Sequence, residues 1–257
     1  MELNEYLTKV GAMGKPEFLI ENLLTIKRFL LLAGRSGIGK SLLATQLMLC
    51  FASAMFWLSF KVKACVCLYV NLELPDVQLG DRLNQQSKHF NIIYQPRIES
   101  YPFQPLHLET PEGLKALEAV IDTEPRPEVV IIDSFRQCYG GRINDNDRVA
   151  KWVNNVYHLM DKHNLSIVVI QNTSKAKPFL EVGSMEEPMG AMELANRAVS
   201  VLVATAKQQR VFHGQFGSKS SDEVELHIPK YGVSTIELEM IPLKLNRQKL
   251  LFEVTNP

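Results

Sequence analysis

Five short apolar runs punctuate the chain, and two of them end on a polar residue, Asp133 and Gln171. They are Phe29–Ala33 (FLLLA), Val66–Leu72 (VCLYVNL), Val129–Asp133 (VVIID), Ser166–Gln171 (SIVVIQ) and Val199–Ala204 (VSVLVA). Nearly continuous Val, Ile and Leu is the pattern of strands covered on both faces, as in a parallel sheet. Between the runs the period changes. Val149, Trp152, Val153, Val156, Tyr157 and Met160 fall at helical spacing and predict a helix over Asp147 to Met160. Asp145, Asp147 and Arg148 mark its start, since acids favour a first turn. Leu114, Leu117, Ala119 and Ile121 predict a second helix, with Pro111 near its beginning. Strand–helix alternation of this kind predicts an α/β fold built of right-handed crossovers.

The end of the chain reads differently. Ser234 to Leu245 (STIELEMIPLKL) alternates polar and apolar residues, and Lys249 to Val254 (KLLFEV) follows after Asn246-Arg247-Gln248. This predicts an antiparallel hairpin appended to the parallel sheet. No repeat, low-complexity tract or linker divides the sequence. The expectation is one domain over residues 1–257, with a lead-in over 1–27 and a terminal hairpin over 234–255.

Composition narrows the function. With 46% hydrophobic and 22% charged residues the chain can bury a sizeable core. A formal net charge of zero argues against a surface that clamps nucleic acid all round, but leaves room for a local basic channel. Cys50, Cys65, Cys67 and Cys138 form no disulfide framework and no zinc spacing, so buried thiols in a reducing compartment are expected. The first ten residues, MELNEYLTKV, are polar and unlike a signal peptide, which points to a cytoplasmic protein. Ser41 to Phe60 carries no charge and is long enough to span a membrane. It begins inside a phosphate-binding motif, however, and reads as a helix buried between sheet and neighbours.

That motif is Gly34 to Ser41, GRSGIGKS, a full G-x-x-x-x-G-K-S match between a strand and a helix. Gly34, Arg35, Ser36, Gly37, Ile38, Gly39, Lys40, Ser41 and Leu42 are therefore the expected ATP-binding residues. Backbone N–H groups face phosphate oxygens, Lys40 reaches the β- and γ-phosphates, and the Ser41 hydroxyl ligates Mg²⁺. Asp133, at the tip of VVIID, sits where a Mg²⁺-holding acid belongs. Ser134 follows it and either positions that site or caps the turn. Gln171, at the end of SIVVIQ, either senses the γ-phosphate or starts a loop. Glu73, in CLYVNLELPD, is a strand-end acid just before Pro75. The six histidines are scattered and make no ligand pattern.

The order P-loop, strand-end Glu73, strand-end Asp133, strand-end Gln171 followed by NTSK resembles the RecA-type ATPases. Within that group the chain is similar to single-domain ring helicases related to plasmid RepA and to the DnaB and KaiC ATPase cores. The resemblance covers about residues 15 to 255. It implies that Glu73 activates the attacking water, since Ser134-Phe135 leaves no acid beside Asp133. It also implies a homo-oligomer, a hexameric ring, with active sites between subunits. Lys244 and Arg247 in LKLNRQ would then reach a neighbour's γ-phosphate, although the family's K-x-R spacing is stretched here to K-x-x-R. Arg197 in ELANRAVS is the alternative. Two loops would face the channel and contact single-stranded DNA: residues 137–146, with Arg142, and residues 173–188, with Lys175, Lys177 and Phe179. The second also carries Glu181, Glu186 and Glu187, which leaves a protein partner as the other reading.

Overall fold

The computed structural model describes residues 1–257 except 13, 15, 102–103, 143–144, 174–191, 207–221, 231–239 and 256–257. In chain order the elements are α1 (Leu3–Ala12), β1 (Phe18–Ile20), β2 (Leu24–Thr25), β3 (Phe29–Gly34), α2 (Lys40–Ser53), β4 (Cys67–Asn71), α3 (Asp76–Ser87) and β5 (Arg97–Ser100). These are followed by α4 (Pro111–Ile121), β6 (Val129–Asp133), α5 (Asn146–His163), β7 (Ser166–Asn172), α6 (Met192–Arg197), β8 (Ser200–Ala206), β9 (Glu223–Lys230), β10 (Met240–Asn246) and β11 (Leu251–Val254).

The nine longer strands form one sheet in the order β11-β10-β9-β8-β3-β7-β6-β4-β5. From β8 to β5 every pairing is parallel, and β9, β10 and β11 extend the β8 edge antiparallel. This is an α/β fold of RecA-like kind, a mostly parallel sheet with antiparallel strands at its C-terminal end. The five apolar runs are five of its six parallel strands. β5 and β9 are additions that the sequence reading lacks. The expected hairpin is β10 and β11, with residues 234–239 outside the described set.

Side chains alternate across a strand, so each apolar run serves two cores. Leu30, Leu32, Tyr69, Ile131, Val168 and Leu202 face one layer with Leu43, Leu47 and Phe51 of α2. Leu31, Val70, Ile132, Val169 and Val201 face the other, with Leu117 and Ile121 of α4 and Val149, Trp152 and Val156 of α5. Each fully buried aliphatic side chain contributes about 1.5–3 kcal/mol. α2 is apolar around its circumference because it is covered on several sides. Residues 43–53 are all buried, which is why an uncharged segment reads like a membrane span. Among the described residues no helix is long and apolar enough to cross a membrane.

Helix boundaries follow local chemistry. Thr110 caps α4, its hydroxyl accepting from the Gly113 N–H at 3.2 Å, with Pro111 as the first helical residue. Asp145 caps α5 through the Arg148 N–H at 3.1 Å, and Asn164 ends it in a left-handed conformation. The four cysteines are free and buried.

The C-terminal strands are tied to the first P-loop helix. Gln46 of α2 donates from Nε2 to the Phe252 carbonyl and accepts from the Phe252 N–H through Oε1, both at 2.9 Å. Gln86 of α3 donates to the carbonyls of Leu42 and Leu250, at 3.2 and 2.7 Å. An edge strand thus finds buried side-chain amides for its backbone groups where another strand would otherwise pair.

Candidate nucleotide site

The candidate site lies at the carboxyl ends of the parallel strands, where α/β sheets bind ligands. β3 runs into GRSGIGKS, and α2 starts at Lys40. Gly39, the residue before α2, has φ 97° and no side chain that caps the helix. The helix therefore begins with N–H groups that no side-chain cap takes up, as an anion site requires. Arg35, Ser36 and Gly37 are exposed at the tip, and Ile38 and Ser41 are half-buried. Leu42 packs partly into the core, and its carbonyl accepts from Gln86.

Two glycines are dictated by space. A Cβ on Gly34 would stand 2.7 Å from the Ala204 carbonyl oxygen, so the loop leaves the sheet in close contact with β8. On Gly39 it would stand 2.7 Å from Cζ of Phe252, in a left-handed conformation as well. Gly39→Ala is therefore expected to lose about 2 kcal/mol or more of stability, from strain together with displacement of the Phe252 ring. Denaturant unfolding monitored by circular dichroism measures it.

Lys40 is 7% exposed, and its Nζ donates to the Arg35 carbonyl at 2.8 Å. Burial lowers its pKa from 10.5 to about 8, opposed by the charges of Asp133 and Glu73. A buried ammonium held in a loop of N–H groups, near two acids, is poised for a polyphosphate.

The acids come from adjacent strands that end level. Asn71 of β4 stands opposite Asp133 of β6, and the Leu72 N–H donates to the Asp133 carbonyl at 2.8 Å. Asn71 then closes the turn that carries Glu73. Its Oδ1 accepts from the Leu74 N–H at 3.0 Å, while Nδ2 donates to the Leu74 carbonyl at 2.7 Å and to Ser100 Oγ at 2.8 Å. Glu73 is half-buried and accepts a hydrogen bond on Oε1 from the Ser134 hydroxyl. Of the two readings of Ser134, positioning of the site is the one this contact supports.

Asp133 is 1% exposed, and its Oδ2 accepts from the Tyr69 hydroxyl at 2.7 Å. Burial raises its pKa, while Ser41 and Tyr69 favour the charged form. Oδ1 is buried with no hydrogen-bond partner. A carboxylate with one unsatisfied oxygen, and the Ser41 hydroxyl acting on the same carboxylate, is the donor set a hard divalent cation takes, so these residues fit Mg²⁺. Gln171 is buried at the end of β7, opposite Ala33 where the P-loop begins. P-loop, Lys40, Ser41, Asp133, Glu73 and Gln171 are thus brought to one end of the sheet.

The remaining candidates lie elsewhere. Arg247, in the β10–β11 turn, is 66% exposed and forms a two-pronged ion pair with Asp222, both contacts 2.7 Å. Lys244 is exposed on β10 opposite Glu253. Arg197 lies over the Tyr157 ring at 5.5 Å. Arg142 is exposed in the loop after β6, and its carbonyl accepts from the Tyr139 hydroxyl at 3.0 Å. Buried Glu109 anchors the same loop, accepting from the Gly140 N–H and from Arg148, each at 2.9 Å. Lys175, Lys177 and Phe179 lie outside the described residues.

Sequence reasoning missed Tyr69 and Gln46. Both are polar groups inside otherwise apolar segments, and that is the signal that could have marked them.

Fold and site together define a RecA-like P-loop ATPase. The AAA domain family profile matches residues 13–178, and the chain belongs to that family. No curated protein matches it. Among solved structures, the ATPase domain of G40-P is similar with a TM-score of 0.65 and 12% identity, covering 99% of this chain and 99% of that one. A KaiC-like protein from the hyperthermophilic archaeon Pyrococcus horikoshii OT3 is similar with a TM-score of 0.60 and 14% identity, covering 95% and 97%.

Proposed function

We propose that the chain is an ATP-hydrolysing motor that assembles into a hexameric ring and acts on single-stranded nucleic acid as a helicase or translocase of a plasmid, virus or other mobile element. The observation that carries this reading is the placement of Glu73. It stands at the end of the strand next to Asp133, within the field of Lys40, and no acid follows Asp133. Likeness over the full length to the ATPase domain of G40-P supports it. In this reading residues 1–257 act as one cytoplasmic ATPase domain, with 1–27 as lead-in and 234–255 as terminal hairpin.

ATP binds on the GRSGIGKS backbone with Lys40 against its β- and γ-phosphates. Ser41 and Asp133 hold Mg²⁺, which when bound neutralises charge on the phosphate oxygens. Glu73 takes the proton of the attacking water, and Gln171 faces the γ-phosphate. Arg247 and Lys244, exposed at the C-terminal hairpin, reach the phosphate of a neighbouring subunit, where positive charge stabilises the transferring group. Arg142, Lys175 and Lys177 contact the nucleic-acid backbone.

A second reading is an ATPase whose ATP-dependent assembly regulates a protein partner. Likeness to the KaiC-like protein and a net charge of zero favour it. ATP turnover measured with and without single-stranded DNA, alongside native mass determination, separates the two. The motor reading expects stimulation of several-fold or more and an oligomer. Turnover indifferent to single-stranded DNA and RNA, with no binding at low salt, leaves the protein-partner reading standing.

A further inference from the structure

Tyr69 has no part in the chemistry above, yet it touches the centre of it. It sits in the middle of β4, fully buried, on the face that packs against α2. A tyrosine there buries its ring as core, but its hydroxyl must find a partner. The partner is Oδ2 of Asp133 on the neighbouring strand, at 2.7 Å. The register explains why. Tyr69 pairs with Ile131, and Asp133 lies two residues further along β6, so all three side chains share one face and a tyrosine spans the step.

The bond divides the carboxylate. Oδ2 is engaged by Tyr69, and Oδ1 is buried with no hydrogen-bond partner. A terminal carboxylate torsion is broad, so without the hydroxyl either oxygen could face the Ser41 side. We infer that Tyr69 is a positioning residue that fixes which oxygen of Asp133 is offered to a divalent cation. The inference rests on the reading of this site as one for nucleotide with magnesium. Tyr69 acts through Asp133 and does not touch the nucleotide, so its effect belongs to the metal and not to ATP alone. Partners of this kind, one bond removed from a metal, typically change metal affinity by about 10–100-fold when lost.

The experiment is a titration of the purified chain with a fluorescent ATP analogue, in EDTA and across a range of Mg²⁺ concentrations. Tyr69→Phe removes one oxygen and keeps the ring. It is expected to bind nucleotide in EDTA within about twofold of wild type and to need about 10–100-fold more Mg²⁺ to reach half of the magnesium-dependent gain. Replacement of Tyr69 by 4-aminophenylalanine retains a donor and should restore the wild-type midpoint. A folded Tyr69→Phe chain with the wild-type Mg²⁺ midpoint overturns the inference, as does an equal loss of affinity with and without magnesium. If Tyr69→Phe does not fold, the 4-aminophenylalanine chain decides: a wild-type midpoint supports the inference, and a tenfold shift overturns it. A wild-type chain whose nucleotide affinity ignores magnesium overturns the metal-site reading as well, whereas equal responses in wild type and Tyr69→Phe overturn the role of Tyr69 alone.

Discussion

Glu73→Gln is expected to lower kcat for ATP by about 10²–10⁴-fold while nucleotide affinity stays within a few-fold of wild type. The substitution is nearly isosteric, and the amide oxygen can still accept from Ser134. The Asn71 turn that presents residue 73 is built by backbone and Asn71 atoms, so it survives. What is lost is the capacity to accept a proton from water. The P-loop backbone and Lys40, which in the proposed reading bind the phosphates, remain, as do Ser41 and Asp133, which would hold Mg²⁺. Phosphate release gives kcat, and a fluorescent nucleotide gives Kd. Wild-type turnover in Glu73→Gln would remove Glu73 from the chemistry. Among the described residues the other acid whose charge acts on Lys40 is Asp133, whose Oδ2 is held by the Tyr69 hydroxyl.

The same stretch marks how far the sequence could be read. The parallel strands were legible because burial on both faces demands unbroken runs of Val, Ile and Leu, and VVIID matches β6 residue for residue. β5 was not, because RIES is a half-buried strand at the sheet edge and carries two charges. β9 had a readable signal: EVELHIPK alternates strictly, with Val224, Leu226 and Ile228 buried. It is an antiparallel strand with one face toward the core, and a search for continuous apolar runs passes over it.

The site divides in a similar way. Lys40, Ser41, Asp133 and Gln171 were legible because strand ends and the P-loop have fixed positions relative to one another. Glu73 became legible only through family resemblance, since one acid before a proline is otherwise an ordinary loop residue. Tyr69 and Gln46 were hidden for a physical reason. Each looks like filler in an apolar segment, and its function is set by a partner 64 residues away for Tyr69 and 206 residues away for Gln46. Arg247 lies in the β10–β11 turn, and its ion pair with Asp222 depends on the β9–β10 register, which no local pattern carries.

Lys40→Ala is expected to weaken ATP binding by about 100-fold or more, since charge-assisted hydrogen bonds contribute about 1.5–3 kcal/mol each. The wild-type chain should also show a pH signature that the variant lacks. The folded pKa of Lys40, about 8, lies below the ordinary 10.5 because burial disfavours the ammonium. Between these values the unfolded chain holds more protons than the folded one, so stability of the nucleotide-free protein rises with pH across that window. Below pH 8 the burial penalty is fully present, on the order of 3 kcal/mol for the difference between 10.5 and about 8. A bound polyphosphate reverses the balance by placing negative charge against Nζ, so binding above pH 8 takes up a proton. Affinity then falls by up to about tenfold per pH unit above that point in the wild type. Lys40→Ala removes this dependence together with the affinity. Calorimetric titrations in two buffers of different ionisation enthalpy count the protons directly. Equal uptake in wild type and Lys40→Ala would place the titrating group elsewhere, whereas loss of uptake with loss of affinity ties both to the buried ammonium of the P-loop.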